Sequence, residues 1–203
     1  MLEKEKFCST CLIKKLNFFF LNLFFFTAFI NSSQASIQEK IISKLQETKT
    51  LTFDFIQKID DKEEIGNCFI KYPLLMKCNY EDLKKKTIIS NGKTLAIIKK
   101  KYKKIYYYPV KSTPLFTILK KKKIINLIKN SLPPKINSKT IEYEFITTSS
   151  KNLKIFFDKN TLNFKGWETK DSYSNTVNFL IINLEVNKEI ESNFFKIPKE
   201  EDL

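Results

Sequence analysis

The sequence of 203 residues contains no histidine. That absence removes the Ser-His-Asp triad, the His-Cys pair and every His-ligated metal site, so neither a metal nor a cofactor is expected. Catalysis would have to run on carboxylates. Asp54, Glu142, Glu144 and Asp158 are available, but they are scattered over separate predicted strands without the paired arrangement that acid–base work needs. Arginine is absent as well, and all 36 basic residues are Lys. Nucleic-acid recognition leans on Arg forks for phosphate and base contacts, so no nucleic-acid partner is expected despite a formal charge of +14. Two readings of that charge stand. One is a compositional bias toward Lys, Ile, Asn and Phe; the other is transient attraction to anionic lipid headgroups, worth at most about 1 kcal/mol per Lys near a surface.

Cysteine is missing where a lipid anchor would need it. Lys14 and Lys15 precede an apolar, Phe-rich run from Leu16 to Ile30, and Ser33-Gln-Ala35 follows as a small-x-small pattern. This is the order of a secretory signal peptide, with cleavage expected after Ala35. The run is about fifteen residues long and is interrupted by Asn17 and Asn22, whereas crossing a bilayer takes roughly 20. A retained anchor helix is the alternative. Cys8 and Cys11 lie before the run and no Cys follows it until Cys68, so the mature chain is not expected to be acylated at its new N-terminus. Residues 36–203 remain, enough for one domain with its own core, expected in the periplasm.

Ile37, Ile41, Ile42 and Leu45 fall at helical spacing, which predicts a short amphipathic helix over Ser36–Gln46. The period then shortens to two. Leu51, Phe53 and Phe55 alternate with Thr52, Asp54 and Ile56, and strands are predicted from Leu51 to Lys58, up to Ile70 or Lys71, and through Leu74, Met76, Cys78 and Tyr80. Asn91-Gly92 joins Thr87–Ser90 to Leu95–Lys99 as a hairpin, and a sixth strand spans Lys104–Tyr108. Thr113-Pro114 opens a helical insert with a hydroxyl cap and a first-turn Pro, and Ser131-Leu-Pro133-Pro134 ends it. Strands return at Glu142–Thr148, Asn152–Asp158, Thr161–Glu168, Asn175–Glu185 and Asn193–Ile197. A meander of this length curls, because a wide twisted sheet has one apolar face to hide. The concave face is predicted to carry Phe53, Phe55, Met76, Ile88, Leu95, Ile97, Phe157, Phe179 and Ile181. Cys68 and Cys78 lie equally far from Pro73, so a hairpin centred there would place them opposite each other; a disulfide is expected in an oxidising compartment, with two buried free thiols or a wider loop as the alternatives.

Three stretches, Gly66-Asn-Cys-Phe-Ile-Lys-Tyr-Pro73, Ile88-Ile-Ser-Asn-Gly-Lys-Thr-Leu95 and Thr113-Pro-Leu115, stand in the order and spacing of the periplasmic outer-membrane lipoprotein carrier family, LolA, which the chain resembles. Leu45 to Gln57, with its Phe55-x-Gln57 ending, and Phe194-Phe-Lys-Ile-Pro198 are similar to that family's first helix and strand and to its final strand. The resemblance implies an α+β, mainly antiparallel fold: an incomplete, half-open β-barrel of about eleven strands under a lid of short helices. It further implies a monomeric chaperone, not an enzyme, which binds acyl chains of lipoproteins. Its partners would be an inner-membrane ABC exporter and an outer-membrane acceptor. A lipid- or lipoprotein-sensing regulatory module of the same fold is the alternative. On this reading Leu45, Phe53, Phe55, Tyr72, Met76, Leu95, Leu115, Phe116 and Phe179 form the acyl cavity and its lid.

One position departs from the family pattern. Lys71-Tyr72-Pro73 stands where the family has Lys-Arg-Pro, whose Arg latches the lid by hydrogen bonds. A Tyr hydroxyl cannot match five N–H donors. Closure is therefore expected to be weaker, or to fall to Tyr72 itself, Lys71 or Lys77.

Overall fold

Alternation of apolar and polar residues gives the longer strands one face to bury, and the chain builds eleven strands into a single antiparallel sheet. The computed structural model describes residues 36–81, 85–146, 152–171 and 173–203; the expected leader and its cleavage site after Ala35 lie outside them, as does the expected strand end at 147–148. The strands are β1 (Thr50–Ile59), β2 (Lys62–Lys71), β3 (Leu75–Tyr80), β4 (Lys86–Asn91), β5 (Thr94–Lys99), β6 (Lys104–Pro109), β7 (Lys135–Ile136), β8 (Thr140–Ile146), β9 (Asn152–Asp158), β10 (Phe164–Lys170) and β11 (Thr176–Val186). Their order is β6-β5-β4-β3-β2-β1-β11-β10-β9-β8-β7. Two meanders thus join at one seam, where β1 pairs with β11. β6 and β7 end the sheet without pairing with each other, so the barrel is half open.

Among the described residues three α-helices accompany the sheet: α1 (Ile37–Glu47), α2 (Leu115–Leu119) and α3 (Lys121–Lys129). The insert is two helices, since Lys120 leaves the helical region (φ −100°, ψ 80°). Each helix turns an apolar stripe to the concave face of the sheet. Ile41 and Leu45 of α1, Ile118 and Leu119 of α2, and Ile124, Ile125 and Ile128 of α3 share one continuous core with strand residues.

The β2–β3 hairpin turns at a cis Tyr72–Pro73 peptide, and its register sets Cys68 directly opposite Cys78. The two cysteines are joined by a disulfide. A second, smaller cluster lies on the other face of the β4–β6 arm, where Ile89, Ala96, Ile98 and Ile105 are covered by Ile197 and Leu203 of the C-terminal tail. Glu200 also accepts a hydrogen bond from the backbone N–H of Ile105 on the edge strand (2.8 Å).

Three local expectations are corrected. Asn193–Ile197 is not a strand: Ser192–Phe195 forms a 3-10 turn, and the strand count of eleven is completed by the short β7. The reason is that both adjacent aromatics pack. Phe195 is buried, while the Phe194 ring lies against Phe69 at 4.9 Å and is perpendicular to Phe195; a strand would send neighbouring side chains to opposite faces. Thr113 does not cap the insert, because its hydroxyl donates back to the Val110 carbonyl (2.8 Å) and Pro114 takes the cap position. Ile97 is only half buried and stands outside the main core, since it lies on the free arm beyond the helices.

Candidate functional site: the covered concave face

A row of aromatic rings crosses the concave face of the sheet. Phe55 stacks on Phe179 at 4.8 Å and meets Tyr80 edge-on at 4.9 Å. Trp167 stacks on the other side of Phe179 at 4.0 Å, with Phe164 at 5.9 Å beyond it, and Phe157 and Tyr143 continue the row. Two glycines make room for it. A Cβ on Gly66 would collide with the Asn79 carbonyl oxygen and press the Phe55 ring, and Gly166, at φ +146°, lets β10 close on the Phe179 carbonyl.

The helices pack closely on this face. The space between Leu45 of α1, Tyr72 and the strand residues Leu51, Phe164, Leu184 and Val186 is about 10 Å³. Ligand pockets run to about 300–1,000 Å³, so a ligand can enter this space only where helix side chains leave. A groove of about 660 Å³ does lie along the outer side of α3, lined in part by Leu127, Leu132, Phe145 and Ile146. Leu132 and Ile146 are among the most exposed apolar side chains described.

α1 and α3 lie antiparallel and are tied at both ends. Gln38 Nε2 donates to the Ile128 carbonyl (2.7 Å). At the other end Lys121 Nζ donates to the carbonyls of Gln46 (2.9 Å) and Thr48 (2.7 Å), the orphaned acceptors where α1 ends. Burial pulls the Lys121 amine below its ordinary pKa. Lys44 Nζ anchors α1 to the β9–β10 turn through the Thr161 carbonyl (2.6 Å), and the Leu74 N–H holds the end of α2 through the Leu119 carbonyl (3.0 Å).

None of the three side chains expected to latch the helices hydrogen-bonds to them, although Lys121 Nζ of α3 lies 5.7 Å from the centre of the Tyr72 ring. The Tyr72 ring is partly exposed, but its hydroxyl is buried without a hydrogen-bond partner, and that burial raises its pKa. Lys71 Nζ donates to the Ile190 carbonyl (2.7 Å), and Lys77 lies over the Phe194 ring at 4.2 Å. The expected cavity residues are otherwise brought together. Leu45, Phe53, Phe55, Met76, Leu95 and Phe179 are buried in one cluster, with Tyr72, Leu115 and Phe116 packed at its margin. Sequence reasoning missed Trp167, Phe164 and Tyr143, although each lies on an alternating strand, and it missed Lys121.

An open antiparallel half-barrel whose apolar concave face is covered by helices defines a class of binding module. The model of the family described as outer membrane lipoprotein carrier protein LolA matches residues 46–198, and the chain belongs to that family. No curated protein matches the sequence. Among solved structures, an uncharacterized conserved protein from Thermus thermophilus is similar over 80% of this chain and 93% of its own, at 6% identity and a TM-score of 0.50. A LolA superfamily protein from Nitrosomonas europaea, NE2245, is matched over 80% of this chain and 99% of its own at 8% identity and a TM-score of 0.42. The MucA/MucB complex of Pseudomonas aeruginosa is matched over 82% of this chain and 62% of its own at 7% identity and a TM-score of 0.48. At these identities the likeness is one of fold.

Proposed function

We propose that the protein is a periplasmic carrier that takes lipoproteins from an inner-membrane ABC exporter, shields their acyl chains, and hands them to an outer-membrane acceptor. It would be exported by residues 1–35, released after Ala35, and act as a monomer without a cofactor. The observation that carries this reading is the covering of the concave face largely by side chains from helices. Seven of them, Ile41, Leu45, Ile118, Leu119, Ile124, Ile125 and Ile128, supply it. At roughly 2 kcal/mol per buried side chain their removal costs about 14 kcal/mol. An acyl chain that buries about fifteen methylenes at 0.8 kcal/mol each returns about 12 kcal/mol. One acyl chain therefore returns most of what the helices give up, and each further chain that enters adds to it. In that scheme the ties between helices and sheet, Lys44 to the Thr161 carbonyl and the Leu74 N–H to the Leu119 carbonyl, set how readily the lid lifts, and the exporter's ATP and a tighter acceptor set direction.

The test is a release assay. The chain beginning at Ser36 is added to inner-membrane preparations with an active exporter and an acylated lipoprotein, and the soluble fraction is assayed for a complex of the two. A soluble complex is expected. Lipoprotein that stays in the membrane fraction while the exporter hydrolyses ATP overturns the reading.

A further inference from the structure

Between Asp82 and Glu142 the sequence carries 17 Lys and no acidic residue. In the fold this stretch supplies the free arm of the sheet, β4 to β6, before it supplies α2, α3 and β7. Within the arm the charge is densest at its tip, where Lys99-Lys-Lys-Tyr-Lys-Lys104 joins β5 to β6. A 3-10 turn over Lys100–Tyr102 and a left-handed Lys103 (φ 48°) gather the lysines into one reversal. Lys77 on β3 belongs to the same field: burial first, and then the charge of Lys100, pull its amine below the ordinary pKa. The ion pairs of the described residues involve Lys58, Lys86, Lys154, Lys165, Lys188 and Lys199, and none of the lysines at this tip. The acids nearest along the edge belong to the tail, and they are engaged. Glu200 accepts from the Ile105 N–H, Glu201 pairs with Lys199 (2.9 Å), and Asp202 accepts from the Lys199 N–H (3.2 Å).

Tyrosine accompanies the charge. Tyr102, Tyr106, Tyr107 and Tyr108 are 45–55% exposed, on the turn and the edge strand itself. Strand alternation sets Tyr106 and Tyr108 on one face and Tyr107 on the other, so the rim is aromatic on both sides. Lys99 Nζ lies 5.1 Å from the centre of the Tyr106 ring. Tyr prefers the headgroup level of a bilayer, where its ring is in apolar surroundings and its hydroxyl is wet, and clustered Lys is drawn to anionic headgroups. An acidic protein would satisfy the lysines alone; a rim of tyrosines on both faces of one strand matches a surface that it enters edge-on.

We propose that the β5–β6 arm is a docking surface for anionic phospholipid membranes, with Lys99, Lys100, Lys101, Lys103 and Lys104 held by headgroups and the tyrosines seated between them. Docking of this kind does not require the concave face to open, and it stands or falls apart from the carrier reading.

Co-sedimentation of the chain from Ser36 with phosphatidylcholine vesicles, with and without phosphatidylglycerol, tests it. Binding is expected only to the anionic vesicles, weakening as salt screens the charges. Replacing the five tip lysines by Gln should reduce affinity by at least about tenfold. A control that replaces Lys40, Lys62, Lys135, Lys139 and Lys159 by Gln, with the same loss of charge, should bind more tightly than the tip variant. Tyr102→Ser with Tyr107→Ser should reduce the binding that persists at high salt. Thermal melts verify that each variant is folded, and the tyrosine pair provides an independent arm if the lysine variant is not. Equal binding to neutral vesicles, equal loss in the control, or no binding to anionic vesicles overturns the proposal. Binding to soluble poly-glutamate without binding to vesicles also overturns it and assigns the face to an acidic protein.

Discussion

Tyr72→Phe is expected to stabilise the closed protein. The Tyr72 hydroxyl is buried without a partner, and the side chain lines a small space with Leu45, Leu51, Leu162, Phe164, Leu184 and Val186, and with Lys44, Thr48 and Asn163. A buried hydroxyl left unpaired costs roughly 1–3 kcal/mol. The adjoining space of about 10 Å³ stands at the lower limit for one water, about 10–15 Å³, and its lining is mostly apolar. Removal of the oxygen with the ring kept should therefore gain about 1–2 kcal/mol, and for a domain of this size each kcal/mol raises the melting midpoint by about 2–4 °C. The gain falls on the closed form alone, because lifting α1 gives the hydroxyl back to water. A gain of about 1.4 kcal/mol would thin the open population about tenfold. Two measurements check this: a thermal or urea midpoint, and hydrogen exchange of the α1 and α3 amides. A higher midpoint with slower exchange in both helices is expected. A lower midpoint would mean that the hydroxyl is hydrogen-bonded through water, and a higher midpoint with unchanged helix exchange would mean that its burial does not depend on the lid. Either refutes the reasoning.

Lys121→Gln shortens the side chain that ties α3 to the end of α1 and should cost about 1 kcal/mol, with faster amide exchange in the last turn of α1; unchanged exchange there would remove Lys121 as a tie. Gly66→Ala places a Cβ against the Asn79 carbonyl and the Phe55 ring, so a loss of about 3 kcal/mol or more is expected in urea unfolding, and a loss under about 1 kcal/mol would show that β2 can shift. Asp158 accepts from the Thr161 and Asn160 N–H groups in the β9–β10 turn, and these bonds, that of Thr161 foremost, hold its pKa below 3.8. Its contribution to stability is present above that ordinary value and is lost as the pH falls through the lowered one. Asp158→Asn should accordingly be less stable than the parent at neutral pH, and the difference in midpoint should shrink in stronger acid; a constant difference would contradict the linkage.

Much of the sheet was legible from period two, and so was more of the site than sequence reading extracted. Lys71 follows Ile70, and Lys77 stands between Met76 and Cys78, three residues of the buried core. On alternating strands both lysines must face away from the helices, as their bonds to Ile190 and Phe194 demonstrate. The tie made by Lys121 was not legible in this way. Lys120 to Lys123 are four identical residues, and only the break at Lys120 and the antiparallel approach of α1 decide which of them reaches the end of that helix. Phe194 and Phe195 misled for a related reason: two adjacent aromatics read as half of an alternating pattern, but both pack, and a 3-10 turn is the backbone that allows it. Local pattern determines which face a side chain takes. It does not determine which of several equivalent side chains finds a distant partner.

The position of the tie also changes what closure depends on. A donor at residue 72 would belong to the sheet and would hold the helices to it. Lys121 belongs to α3 and bonds the end of α1, so it holds one helix to the other. Gln38 does the same at the opposite end, and the two bonds make α1 and α3 a pair that can move together. The sheet contributes separate anchors, Thr161 to α1 and Leu74 to α2, and at Tyr72 a buried hydroxyl that disfavours closure. Opening as a pair breaks the anchors, takes the Lys121 amine off the Tyr72 ring and relieves the Tyr72 hydroxyl, but leaves the Lys121 hydrogen bonds intact. On the proposed carrier reading the cost of lifting the pair is then mainly apolar surface, which is the one term that an acyl chain can replace.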